Sequence, residues 1–246
     1  MRVKNIVLIV CLWGSFVELE GQGYLNELSI KYGLGLPMGN YAGDNRDIQD
    51  VVGGMKIGSY WGVEFKSRLI NIRPIRYGEY TFIDYLEKTG FFVAYDQFKA
   101  DVSDNSRENL EHDNLEIFEI GKWKVHNLNF GLSTKEFISE EIAIMFKLGG
   151  GISEVYNPYI TLLKNDELAY RRNQSKISTF GAIIGIDLMF NFDRVVVQLQ
   201  SEINFSKPEI RTVTQDNVIG QLIPFNENSP LVIPKLSLNL GYSFLE

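Results

Sequence analysis

An all-β fold, an eight-stranded antiparallel up-and-down barrel crossing a membrane, is what the sequence predicts. Three observations carry this reading. Segments with strict period-2 hydrophobicity recur along the chain, and the gaps between them alternate between long and short. Beyond the N-terminal segment, no stretch approaches the roughly 18 apolar residues of a spanning helix, so a membrane could be crossed only by strands closed on themselves.

The last strand is the clearest. Leu236, Leu238, Leu240, Tyr242 and Phe244 alternate with Lys235, Ser237, Asn239, Gly241 and Ser243. The first has the same character, with Leu28, Ile30, Tyr32, Leu34 and Leu36 opposing Glu27, Ser29, Lys31, Gly33 and Gly35. The pattern places strands at about 26–36, 54–66, 89–100, 122–132, 141–154, 177–190, 194–206 and 232–244. In the second, Met55, Ile57, Trp61, Val63 and Phe65 share the apolar face. Residues 90–99 carry apolar side chains on both faces, which blurs the alternation, and the parity switch between Val125 and Leu128 predicts a bulge.

Long gaps follow strands one, three, five and seven: Pro37–Gly53, Asp101–Gly121, Val155–Lys176 and Lys207–Leu231. Their Asp, Asn, Glu and Pro content reads as solvated loops. Short turns, Ser133–Glu140 and Asn191-Phe192-Asp193, lie at the opposite end, where both termini also fall. Residues 67–88 break the rule: they extend strands two and three or add a hairpin that makes ten strands.

Arg2 and Lys4, the apolar run Ile6–Val17 and the small residues Gly21 and Gly23 read as an export signal over residues 1–23, leaving one barrel domain over 24–246. Cys11, the sole cysteine, lies in that run, with the large Val10 before it where a lipoprotein signal has a small residue. The whole chain carries 24 basic and 31 acidic residues, a net charge of −7. With its basic residues scattered, it is a poor nucleic-acid binder.

The glycine-punctuated first strand running into Leu36-Pro37-Met38-Gly39-Asn40-Tyr41, with the ending Leu240-Gly241-Tyr242-Ser243-Phe244, resembles the porin-like, OmpA-type outer-membrane β-barrel proteins of Gram-negative bacteria. The resemblance implies residence in the bacterial outer membrane, contact with its lipid, insertion by the barrel insertion machinery, and a structural or porin-like role. Long extracellular loops would then meet a surface ligand or an envelope complex. Leu245 and Glu246 follow Phe244, so the terminal aromatic is not the last residue, unlike the family pattern.

Tyr32, Trp61, Tyr242 and Phe244 would form an interfacial aromatic girdle. The inward set would be Lys31, Lys56, Glu64, Lys147, Asp187, Gln198, Glu202, Lys235 and Asn239, filling a lumen just wide enough for side chains, or lining a conducting one. Period 2 equally fits a soluble lipocalin-like ligand carrier with the apolar face turned inward, and a secretion-accessory barrel would look the same.

A lipid-modifying enzyme would need His112 or His126, but His112 sits in the acidic run Glu111-His112-Asp113, and Ser133 is seven residues from His126. That separation is roughly 23 Å along a strand, too far for proton transfer. Asp113 and Glu116 add no metal-ligand spacing, and Gly149-Gly150-Gly151 lacks the Lys-Ser/Thr of a phosphate loop. The reading is therefore non-enzymatic, with no catalytic, metal or cofactor residue assigned. Protein from the membrane fraction should have an N-terminus at Tyr24 by intact-mass measurement; an unprocessed Met1 would remove the export signal.

Overall fold

The computed structural model describes residues 26–43, 52–68, 89–111, 114–139, 141–216 and 221–244. Residues 1–25, where the sequence predicts an export signal containing Cys11, together with His112, Asp113, residues 69–88 and the last two residues, lie outside the described residues. The barrel strands are β1 (Asn26–Gly35), β2 (Gly58–Arg68), β3 (Thr89–Ala100), β5 (Trp123–Phe137), β6 (Ile142–Tyr156), β9 (Lys176–Phe192), β10 (Val195–Ser206) and β13 (Leu231–Phe244). They close in the order β1-β13-β10-β9-β6-β5-β3-β2. The seam is antiparallel from Asn26↔Phe244 to Gly35↔Lys235, so neither terminal strand leaves an open edge.

Parity decides the faces. Even positions of β1, β5, β6, β9 and β13 and odd positions of β2, β3 and β10 point out, and the outward side chains include Ile30 (64% exposed), Phe130, Leu148, Phe180 (84%), Leu199 and Leu238. Charged and amide side chains point in. An apolar exterior around a polar interior is the inverse of a soluble barrel, so the lipocalin-like alternative does not hold, and this exterior belongs in lipid.

The structure corrects four expectations. β2 pairs directly with β3 from Ser59↔Lys99 to Arg68↔Gly90, which excludes a hairpin inserted between them and with it ten strands. The β3–β5 and β5–β6 registers run without interruption, so no bulge interrupts residues 125–128; Trp123 and Val125 are inward-facing apolar residues, and the face changes chemistry rather than parity. Residues 54–57 are not strand: Met55 bridges Val102 and is buried in the barrel mouth, while Lys56 pairs with Asp104 at 2.7 Å outside the lumen.

The fourth correction is the largest. Three of the four long gaps fold. They supply β4 (Glu116–Ile120), β7 (Ile160–Lys164), β8 (Glu167–Arg172), β11 (Glu209–Asp216) and β12 (Gln221–Asn228), joined in a second sheet of order β12-β11-β8-β7-β4. A short helix, α1 (Asp104–Leu110), precedes β4, and the Ser103 side chain caps it by accepting from the Ser106 amide at 3.1 Å. Asn165 and Asp166, both at positive φ, make the two-residue turn between β7 and β8, a conformation these residues tolerate. Leu110, Ile160, Leu162 and Tyr170 form the core of this loop layer.

One tight contact sets the wall. Gly131 of β5 lies opposite Gly149 of β6, and a Cβ on Gly131 would stand 2.3 Å from the Leu148 carbonyl oxygen. A Gly131→Ala substitution should therefore cost about 1–3 kcal/mol, as overpacking does, read from urea unfolding of the refolded barrel. No loss of stability would mean that the wall relaxes freely there.

Candidate functional site

The lumen is filled in layers. At mid-height, lysines and carboxylates from seven strands converge. Lys31 of β1 meets Glu64 of β2 at 3.0 Å and Glu202 of β10 at 3.4 Å. Lys147 of β6 meets Glu202 at 2.7 Å, Glu64 at 3.0 Å and Asp187 of β9 at 3.2 Å. Lys66 joins Glu64 (3.0 Å) to Glu27 (3.2 Å), and Lys235 pairs with Asp96. Glu64 thus touches three ammonium groups.

Amides satisfy much of the rest. Lys66 donates to Gln198 Oε1 at 2.7 Å, Gln198 Nε2 donates to Glu27, and Gln200 Nε2 donates to Asp187 at 3.2 Å. Asn127 Nδ2 donates to Asp96 at 2.8 Å, while its Oδ1 accepts from Ser153 Oγ at 2.7 Å. Two ammonium groups also lie over rings, Lys147 over Phe92 at 5.7 Å and Lys235 over Tyr60 at 5.0 Å. Lys135, half-buried on the inward face of β5, adds a fifth lysine toward the short-turn end.

Lys31, Glu64, Lys147, Asp187, Gln198, Glu202, Lys235 and Asn239 therefore stand where the sequence placed them, all buried. Lys56 does not. Lys66, Glu27 and Asp96 complete the network; all three lie on the inward parity of their strands, and Asp96 is the one carboxylate of β3.

Above this layer the mouth is plugged. The gap after β1 bends inward, so Tyr41, Val52 and Met55 pack with Phe98, Val102, Trp123, Ile210 and Ile233. Tyr41 meets Trp123 edge-on at 5.6 Å, and Trp123 Nε1 donates to the Gly53 carbonyl at 3.2 Å. Gly54, at φ +66°, gives this bend a left-handed residue, and its missing Cβ leaves room for Ser106. Burial and the Glu227 carboxylate push the Tyr41 hydroxyl well above the ordinary tyrosine range.

On the loop layer, a groove of about 520 Å³ is lined by Asn173, Gln174, Ser175, Arg211, Thr212 and Asn226, among others. Glu209 anchors its rim. Arg211 donates to it at 2.7 Å and Asn226 at 3.0 Å, which holds its carboxyl below the usual carboxylate range.

His126 and Ser133 lie on opposite faces of β5, the histidine outward and the serine buried inside, so they form no dyad. Among the described residues no cluster of three His, Cys, Asp or Glu side chains is arranged to hold a metal. Gly149, Gly150 and Gly151 are strand residues of β6.

The closed eight-strand ring, the outward apolar face and the loops gathered at one end decide the architecture. The fold is that of an outer-membrane β-barrel. Solved structures agree: a major outer membrane protein from Thermus thermophilus superposes with a TM-score of 0.51 at 11% identity, covering 89% of this chain and 99% of that one. Neisserial surface protein A follows with a TM-score of 0.49 and 10% identity, covering 91% and 100%. The outer membrane protease OmpT of Escherichia coli gives 0.45 and 11%, covering 90% and 95%. No protein-family model and no curated protein matches the sequence.

Removing one member of a buried ion-pair network strands its partners' charge in a low dielectric. Glu64→Gln should lower the unfolding free energy by about 3–5 kcal/mol, read by urea titration of the folded, heat-modifiable band on cold gels. A loss below about 1 kcal/mol would show that water, rather than Glu64, solvates these lysines.

Proposed function

We propose that this chain is a non-conducting outer-membrane barrel whose role is structural at the level of the membrane and recognition at the level of the loop layer. The observation that carries it is the filled lumen. The ion-paired layer under the Tyr41–Trp123 plug leaves side chains such as Lys31, Glu64 and Asp96 without solvent exposure. A porin needs the reverse, polar walls around continuous water.

Recognition is assigned to the loop sheet because strands organise it. A paired five-stranded layer holds its side chains in fixed relative positions, at lower ordering cost on binding than free loops would carry. The groove beside Arg211 and Asn226 is the concave feature on that layer best suited to a surface ligand. The non-enzymatic reading rests on the separation of His126 from Ser133 across the wall. Insertion as a client of the barrel assembly machinery fits the terminal strand, whose outward aromatics Tyr242 and Phe244 pack edge-on at 5.5 Å.

Purified full-length protein in planar bilayers should give no conductance steps at neutral pH. Stable, ion-sized channel openings from heat-modifiable protein would overturn this reading in favour of a pore.

A further inference from the structure

The outer wall at the loop end carries three successive cross-strand rungs of sharply different chemistry. The lowest, Val63–Tyr95–Leu128–Ile152–Phe180, is apolar apart from the tyrosine hydroxyl. The next is Trp61–Gln97–His126–Glu154–Ser178, linked by Trp61 Nε1 donating to Gln97 Oε1 at 3.2 Å and by Gln97 Nε2 at 3.0 Å from His126 Nε2. The third is Ser59–Lys99–Lys124–Tyr156–Lys176, with three cations in a chain of net charge −7.

Among the described residues, only one of the three cations in this rung has an ion-pair partner. Lys176 is held by Glu154 at 2.7 Å, and the neighbouring Lys122 is held by Asp101 at 3.0 Å. Lys99 and Lys124 are direct cross-strand partners on the outward face, and among the described residues neither has an ion-pair partner. Like charges facing each other at the ~5 Å spacing of such a pair destabilise the sheet unless an anion lies between them. Glu154, in the rung below, and Asp101, two residues beyond Lys99, are engaged by Lys176 and Lys122.

We propose that Lys99 and Lys124 form a binding site for the phosphate of an anionic membrane lipid. The order of the rungs selects an amphiphile. An acyl chain lying on Leu128, Ile152 and Phe180 passes the aromatic and amide rung at headgroup depth and brings its phosphate to the paired lysines. A free anion would use only the last rung. Glycerol or sugar hydroxyls of the same headgroup fall beside Gln97, His126 and Tyr156, whose hydroxyl donates to Glu154 at 3.2 Å.

The test uses the full chain in a neutral maltoside detergent, offered phosphatidylcholine vesicles with and without phosphatidylglycerol, and reads retained lipid by native mass spectrometry. Wild-type protein is expected to enrich phosphatidylglycerol over phosphatidylcholine, and added salt should erode that enrichment. The double substitution Lys99→Gln/Lys124→Gln should weaken retention about thirtyfold, while Lys99→Arg/Lys124→Arg keeps it. The heat-dependent gel shift verifies that each variant is folded. Unchanged retention in the glutamine variant overturns the site, as does a wild-type preference that is absent or indifferent to salt. Inorganic phosphate competing as well as the lipid would also overturn it, in favour of a soluble anion. If the glutamine variant does not fold, the wild-type salt series and the arginine variant decide the question. None of these readouts depends on whether the lumen conducts.

Discussion

In hydrocarbon a backbone N–H or C=O has no water to turn to, and each one left unpaired costs several kcal/mol. The seam between β1 and β13 answers that constraint, because it gives the first and last strands of the sheet to each other. Once the ring is closed, alternation along each strand has only two destinations, lipid or lumen. Side chains such as Leu238 and Phe180 can then be apolar and exposed without penalty, while Lys235 and Asp187 on the same strands must find partners inside. The ion-pair layer is a consequence of closure: an eight-strand interior is too narrow to hydrate its lysines and carboxylates separately, so they neutralise one another.

The same narrowness explains the division of the molecule along its axis. Charge suits the middle, where strands from every side bring donors and acceptors within reach. Toward the loop end the inward positions become Phe98, Trp123, Val125 and Ile233, and the incoming segment with Tyr41 and Met55 supplies the matching apolar surface. Burying aromatic rings of this size is strongly favourable and ties the first loop to the wall. Ile210, at the start of the β11–β12 hairpin, belongs to the same cluster, so the loop layer and the lumen share a core rather than being joined by flexible linkers.

Much of the barrel is legible in the sequence because its signal is local. The period-2 pattern puts the third strand at 89–100, where the structure has it, and gives the remaining barrel strands with their ends displaced by a few residues. Most of the inward set is legible for the same reason. Lys56 is misplaced by the pattern because period 2 continues numerically through residues 54–57, whereas the chain there bends into the mouth to pair Met55 with Val102. Trp123 and Val125 imitate a bulge because they are inward apolar residues on strands whose other inward positions are polar. The strands of the loop layer are not legible: β4 and β7 are five residues each, too short for a period to stand out, although Asn165-Asp166 is a visible hairpin turn.

The sequence by itself determined the alternation and which side chains share a face, since a side chain's direction from a strand depends only on its position in that strand; the closed ring settled the strand count and turned the apolar face outward. The sequence also determined which end carries the loops, through the lengths of the gaps. Only the tertiary structure decided which charges meet, that Glu64 serves three lysines, that Lys99 faces Lys124 across the strands, and that three separate loops form one sheet. Those outcomes depend on register between strands far apart in sequence, and register is settled by the closed ring as a whole.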